Sequence, residues 1–167
     1  EVTLGVRFQS EINGYLTGLR FYKDAADTGL HIGTLWTETG TLLGSVNFTN
    51  ETVSGWQAAR FDTPIAITAN TVYVAAYYSS SGMVVTEPGT LSTIGVDRAP
   101  LHILANTQAA GNGLIAYGAP GTFPSTSANG TNFWVDVVFV DTLPAVVPVP
   151  SVTPSPVASD VPPATSV

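Results

Sequence analysis

The sequence contains no cysteine, and it has only five Lys and Arg residues against 12 Asp and Glu. The absence of cysteine excludes disulfides and thiol chemistry, so stability must come from the core. Lys23 is the only lysine and no Lys or Arg follows Arg98. A surface that neutralises phosphates is therefore hard to build, and nucleic acid is not expected as a partner. No apolar run approaches the ~20 residues of a membrane-spanning helix, so membrane insertion is not expected either.

The composition changes abruptly near residue 142. Upstream, Thr, Ser, Asn and Gly supply most of the polar residues, a composition common in extracellular β-domains. Downstream, residues 142–167 are rich in Pro, Val, Ser and Thr and contain no Gly, Lys, Arg or aromatic residue. Such a segment cannot form its own core and favours an extended path. We expect one domain over residues 1–141, followed by an extended tail or linker over residues 142–167.

Short stretches with a period of two dominate the first 80 residues, beginning with residues 2–9, and no long stretch is free of turn signals. Between residues 82 and 131 the pattern loosens into long loops with short strands. This predicts an all-β fold, an antiparallel two-sheet β-sandwich that is jelly-roll-like. The expected core is Phe8, Leu19, Phe21, Leu35, Phe61, Val74, Val135, Val137 and Phe139.

The stretch of residues 131–140 reads as a central strand, because it is apolar on both faces except at Asp136. A buried, unpaired carboxylate would cost several kcal/mol, so Asp136 requires a partner, for which Arg20 on a predicted strand is the candidate. Asn13 and Gly14 predict a turn between the first two strands, which form either a hairpin or a short crossover. Lys23 lies at a strand end next to Asp24 and is expected to face solvent.

Several motifs occur in a specific order from residue 2 to about residue 140: LGVRF, GLRFYK, HIGTLW, GW, TVYVAAYY, VDRAPLH, AYG, FP and NFWVDVVF. With these GTLW, GW and WVDVVF signatures, the sequence resembles a secreted, bacterial-type domain-of-unknown-function family, DUF4082. The resemblance implies a β-sandwich of extracellular proteins, found beside carbohydrate-active and adhesive modules. It implies no agreed activity and supplies no catalytic residues to carry over.

Candidate catalytic groups are few, and we do not expect an enzyme. His31 and His102 are far apart in sequence, no zinc-binding spacing occurs, and no nucleophile-elbow motif is present. Asp24, Asp27 and Asp97 lie in predicted loops, where they are candidates to hold calcium. Capping of turns by Asp24 and Asp27 is the favoured interpretation. No cofactor is therefore expected, with calcium as the alternative.

The surface offers two further kinds of site. Most aromatic residues are assigned to packing, but Trp56 and Tyr117 each lie beside a Gly and are the expected exposed positions for stacking on a sugar. Three sequons predict N-glycans on exposed turns or strand ends, and thereby secretion to the cell exterior or the cell surface. The asparagines are Asn47, Asn50 and Asn129.

The tail suggests a function in assembly. Its valines can pair with a sheet edge of another copy, while the intervening prolines, which lack N–H donors, face away. The residues expected to do so are Val146, Val147, Val149 and Val152. The leading hypothesis is a non-enzymatic extracellular structural glycoprotein whose copies bind head-to-tail into a fibre or surface layer. The alternative is a carbohydrate-binding module joined to a partner domain by a Pro-rich linker.

Overall fold

The described chain is built from strands alone. A computed structural model describes residues 1–143, which form eleven β-strands and no helix, so none of their segments is an apolar helix that could cross a membrane. The strands are β1 (Val2–Ser10), β2 (Gly14–Lys23), β3 (His31–Thr37), β4 (Leu42–Asn47), β5 (Gly55–Ile67), β6 (Tyr73–Ser79), β7 (Val96–Arg98), β8 (Leu101–Ile103), β9 (Leu114–Tyr117), β10 (Thr126–Ser127) and β11 (Val135–Val140).

These strands form two antiparallel sheets, which confirms the predicted all-β sandwich. The larger sheet has eight strands in the order β10-β9-β1-β6-β3-β4, with β8 pairing the end of β1 and β7 pairing β8. The smaller sheet has three strands in the order β11-β2-β5. The four strands between residues 96 and 127 are short, as the loose pattern of this region predicts.

The first two strands lie in different sheets. The alternating residues Val2, Leu4, Val6 and Phe8 of β1 are buried, at 5% exposure or less, as their period of two predicts. β1 pairs with β6, β8 and β9, whereas β2 pairs with β5 and β11. Of the two connections left open by the sequence, the hairpin is therefore wrong, and residues 11–13 form a crossover from one sheet to the other.

The prediction of a central strand over residues 131–140 is wrong in two respects. The strand β11 begins only at Val135, and it forms an edge of the three-stranded sheet because, among the described strands, it pairs only with β2. The apolar residues of this stretch nevertheless belong to the core or pack on it, since Phe133 and Val135 are buried while Val137 and Phe139 are partly buried against the core. The strand is therefore an open edge of the sandwich that packs on the core with one face, and not a central strand with a covered second face.

Phe21 lies at the centre of the core. Its ring stacks on Tyr77 with centroids 4.5 Å apart and meets Phe48 edge-on at 4.8 Å. All residues of the predicted core are buried except Val137 and Phe139, which pack against it from the open edge. Full burial of such side chains contributes about 1.5–3 kcal/mol each, which supplies the stability that a chain without disulfides needs.

The unequal widths of the two sheets leave one side of the sandwich open. On one side β4 contacts β5, and in the middle β2 faces β3 while β11 faces β6 and β1. The larger sheet continues beyond β11 as β9, β10, β8 and β7. A cleft therefore forms between the edge strand β11 and the strands β7 and β8.

Candidate functional site

The cleft beside β11 has a volume of about 260 Å³. One wall comes from β11 and the residues just before it, the other from β7 and β8, and the floor from β1. The lining residues are Val6, Phe8, Trp56, Val96, Arg98, Leu101, His102, Ile103, Asn132, Trp134, Val135, Asp136 and Val137. An apolar cavity with a few polar groups at its mouth is the usual character of a small-molecule site.

Three aromatic side chains, Tyr22, Trp56 and Trp134, form a cluster at this mouth, here called the aromatic cluster. The pairing of β2 with β5 places Tyr22 opposite Trp56, and their rings meet edge-on with centroids 5.7 Å apart. Trp134 lies 6.4 Å from each of the other two rings. Tyr22 is 39% exposed and Trp56 is 44% exposed, so much apolar ring surface remains open to a ligand.

The backbone of Trp134 is held in an unusual conformation. Its φ of 54° lies in the left-handed region, which bulky residues rarely adopt and which costs of the order of 1–3 kcal/mol. The side-chain Oδ1 of Asn132 accepts the N–H of Trp134 at 2.9 Å, and the carbonyl of Trp134 accepts the N–H of Tyr22 at 3.0 Å. The sequence pattern placed Trp134 inside a strand, whereas in the structure Trp134 precedes β11 and its ring faces Tyr22 and Trp56.

An ion pair between Arg20 and Asp136 lies beside the aromatic cluster, as the sequence predicts. The register of β2 against β11 places the two residues directly opposite each other. The guanidinium carbon of Arg20 lies 5.2 Å from the centroid of the Trp56 ring, a cation–π arrangement. Asp136 Oδ1 also accepts the N–H of Val137 at 2.8 Å. Since both charged side chains are a third or more exposed, the pair is available to a ligand and adds little stability.

The opposite wall carries His102 and Arg98. His102 Nδ1 lies 2.7 Å from Asp97 Oδ1, and His102 Nε2 lies 2.9 Å from Glu11 Oε1. The hydrogen bond with Asp97 raises the pKa of His102 above its ordinary value, partial burial opposes the shift, and Glu11 adds to it. Arg98 is exposed on β7. The two walls therefore differ, since one carries aromatic rings and the other carries Arg98 and His102 among apolar residues.

A second polar group of residues lies outside the cleft and is buried. Glu51 Oε2 lies 2.8 Å from Lys23 Nζ, and both Glu51 carboxylate oxygens lie 2.9 Å from His31 Nδ1. The side chains of Lys23, Glu51 and His31 are only 10%, 13% and 0% exposed. The expectation that Lys23 faces solvent is wrong, because its side chain turns away from Asp24 and reaches the loop between β4 and β5. A buried charge needs such a partner.

Asp27 completes this set, and Lys23, Asp27, His31 and Glu51 are called here the buried ion network. Asp27 is 1% exposed, and its Oδ2 lies 2.9 Å from His31 Nε2, a close contact without hydrogen-bond geometry. Its Oδ1 accepts hydrogen bonds from the hydroxyls of Ser79, at 2.9 Å, and Ser81. Burial, with a contribution from Asp27, raises the pKa of Tyr77 nearby. The network thus joins the ends of β2 and β6 to the start of β3.

The three calcium candidates have separate roles in the structure. Asp24 Oδ1 accepts the N–H of Ala26 at 2.8 Å, which is a turn-capping hydrogen bond. Asp27 belongs to the buried ion network, and Asp97 contacts His102. Within residues 1–143, no group of three or more His, Cys, Asp or Glu side chains is arranged to hold a metal ion. Calcium at these positions stays a hypothesis without a site among the described residues.

The two predicted stacking residues lie in different places. Trp56 lines the cleft, whereas Tyr117 is 78% exposed at the end of β9 in the other sheet and is not among the lining residues. The sequon residues Asn47, Asn50 and Asn129 are all exposed, and their glycosylation stays a prediction. The tail residues Val146, Val147, Val149 and Val152 lie outside the described residues, so their role in assembly also stays a prediction.

Comparison with models of protein families gives a match. A family model described as Domain of unknown function (DUF4082) matches residues 1–135. This range contains the aromatic cluster, the buried ion network and the residues Arg98 and His102 of the opposite wall, and it ends at the first residue of β11. No curated protein matches the chain.

Proposed function

The chain belongs to the family described as Domain of unknown function (DUF4082), and we propose that it is a non-catalytic extracellular domain that binds carbohydrate in the cleft beside β11. The observation that carries the proposal is the half-exposed aromatic cluster at the mouth of the cleft. The apolar C–H face of a sugar ring packs on aromatic rings, which provide a large contact area with little side-chain entropy to lose.

The polar groups beside the cluster support the same ligand class. Sugar hydroxyls both donate and accept hydrogen bonds, and the Arg20–Asp136 pair offers donors and acceptors side by side at the ring edge. Asn132 also lines the cleft and offers an amide. Aromatic surface combined with a few placed polar groups is what fixes the orientation of a small ligand.

The same groups favour binding over catalysis. General acid–base chemistry requires a group that can exchange a proton with the substrate. In the cleft the Asp136 carboxylate is engaged by Arg20 and by the Val137 N–H, and both ring nitrogens of His102 face carboxylates. These contacts support a binding role, and the exposed sequons support a secreted or cell-surface location.

Replacement of Trp56 by alanine tests the proposal. The variant should lose about 2 kcal/mol of binding free energy, roughly thirtyfold in affinity, as expected for an aromatic anchor. Because Trp56 is 44% exposed, the fold should persist, which circular dichroism can check. Tyr117→Ala is the matched control, since it removes an exposed aromatic residue outside the cleft.

Affinity electrophoresis through gels that contain a panel of neutral and acidic polysaccharides would find the ligand, and calorimetry with oligosaccharides would measure the affinity. Binding that weakens in Trp56→Ala but not in Tyr117→Ala supports the cleft as the site. Failure of the wild-type domain to bind any polysaccharide of the panel, or equal binding by both variants, would show that the proposal is wrong.

Self-assembly through the tail, the leading hypothesis from the sequence, is a separate proposal. It depends on residues 142–167, nearly all of which lie outside the described residues. One feature of the described residues favours self-assembly. The last described strand, β11, has one edge without a partner strand in residues 1–143. A strand added at that edge would lie along the cleft, so sugar binding and assembly would compete for it.

A further inference from the structure

The cleft wall opposite the aromatic cluster carries a cation that has no carboxylate partner among residues 1–143. Arg98 is exposed and, within residues 1–143, makes no ion pair and no side-chain hydrogen bond. Two other cationic side chains differ from Arg98 in this respect, since Arg20 is paired with Asp136 and Lys23 is paired with Glu51. A guanidinium has five N–H donors in a planar fork, so Arg98 keeps its full capacity to bind an anion.

The surrounding charges favour this role for Arg98. The chain carries a net charge of -7, yet the cleft is lined by Arg98 and His102, and Arg20 pairs with the lining residue Asp136. The charge of Arg20 is met by Asp136, and that of protonated His102 is met by Asp97 and Glu11. Among the described residues that line the cleft, Arg98 is therefore the group that is left to meet a negative charge from outside.

We propose that Arg98 binds the carboxylate of a uronic acid residue whose ring packs on the aromatic cluster. This inference rests on the proposed carbohydrate-binding function and names its ligand class. A planar carboxylate can accept two parallel hydrogen bonds from one guanidinium, which fixes its orientation as well as its position. A tetrahedral sulfate leaves a further oxygen for which the cleft offers no second unpaired cation among the described residues.

The test compares ligands that differ only in charge. Oligomers of galacturonic acid and of the alginate uronic acids would each be measured by calorimetry beside their carboxyl-reduced, neutral counterparts. A charge-assisted pair of this kind is worth about 1.5–3 kcal/mol, so the wild-type domain should bind at least one acid form about tenfold or more tightly than its neutral form. In Arg98→Gln this ratio of affinities should fall to about one at moderate salt.

Arg60→Gln is the matched control. Arg60 is also exposed and also lacks an ion-pair partner within residues 1–143, but it lines a different groove, between β4 and β5. Both variants remove one positive charge, so a general effect of net charge would appear in both. The preference for the acid form should therefore survive in Arg60→Gln and disappear in Arg98→Gln.

The two proposals fail in different ways. Equal affinity for acidic and neutral forms, an acid preference that persists in Arg98→Gln, or tighter binding of a sulfated galactan than of any uronate overturns the inference. In those cases Trp56→Ala would still weaken binding, and the carbohydrate-binding function would stand. If the wild-type domain binds none of these saccharides and Trp56→Ala changes nothing, both proposals are wrong.

Discussion

Replacement of Glu51 by alanine should destabilise the domain strongly, because Glu51 is the central anion of the buried ion network. Its carboxylate lies 2.8 Å from Lys23 Nζ and 2.9 Å from His31 Nδ1, and the three side chains are at most 13% exposed. Removing one partner of a buried ion pair leaves an uncompensated charge and typically costs 3–5 kcal/mol. We expect a loss of about 3 kcal/mol, because Lys23 keeps a contact with the Thr52 carbonyl at 3.3 Å and His31 keeps Asp27.

The loss can be measured as the free energy of unfolding in urea, followed by tryptophan fluorescence and circular dichroism. Domains of this size are stable by about 5–15 kcal/mol, so the variant should still fold and show a lower midpoint. Glu38→Ala is the control, since it removes the same charge from a side chain that is 45% exposed and 3.9 Å from Arg7, whose buried guanidinium keeps its hydrogen bonds to the carbonyls of Ala110 and Gly111. It should cost no more than about 0.5 kcal/mol.

Two outcomes would refute this reasoning. One is a loss in Glu51→Ala below about 1 kcal/mol, and the other is a loss equal to that of Glu38→Ala. The double variant Lys23→Ala, Glu51→Ala provides a further check. If the pair is coupled as the structure shows, the double variant should be less destabilised than the sum of the two single variants by more than about 0.5 kcal/mol.

Three other predictions follow from single features. An NMR titration should place the pKa of His102 above its ordinary 6.5, and Asp97→Asn should lower it, whereas a wild-type value at or below 6.5 would contradict the structure. Because the folded pKa is raised, the stabilisation by Asp97 and Glu11 is present at low pH and is lost as the pH rises through that pKa. Secretion from a eukaryotic host should add N-glycans, and unmodified asparagines in the mass spectrum would refute this. The sites are Asn47, Asn50 and Asn129. Deletion of residues 142–167 should abolish linear assemblies in electron micrographs, and unchanged assemblies would show that the tail does not make them.

The strands and the core could be predicted because they depend on local alternation. Val2, Leu4, Val6 and Phe8 are buried as their period of two requires. The pairing of Arg20 with Asp136 was predicted as well, although its premise of a buried carboxylate is wrong, since the Asp136 side chain is 34% exposed on an edge strand. Which strands become neighbours is not encoded in such patterns, so β11 was placed at the centre of a sheet when it lies at an edge.

Most of the candidate site could not be predicted from the sequence, because the site depends on strand register and on backbone strain. Trp56 was chosen for its neighbouring Gly, but its partner Tyr22 follows only from the pairing of β2 with β5. No pattern predicts a tryptophan at a φ of 54°, because the conformation is held by Asn132 and by pairing with Tyr22. Lys23 was misjudged from its neighbour Asp24, while its actual partner, Glu51, lies 28 residues away in sequence. One feature of the sequence could have indicated this pairing, namely that the only lysine occurs in a chain with 12 Asp and Glu residues.

The alternation of β2 couples the buried ion network to the cleft, and this leads to a last prediction. Tyr22 faces the aromatic cluster and the next residue, Lys23, faces the network, while Glu51 holds the loop that leads into β5 and Trp56. The Lys23–Glu51 ion pair therefore holds both strand segments that carry the exposed rings of Tyr22 and Trp56. Since preorganised side chains bind with a smaller loss of entropy, Glu51→Ala should weaken the proposed carbohydrate binding a few-fold without touching the ligand. The measurement is calorimetry at a temperature where the variant is still folded, with Glu38→Ala as the control. Wild-type affinity in folded Glu51→Ala would show that the β2–β5 pairing alone positions Tyr22 and Trp56.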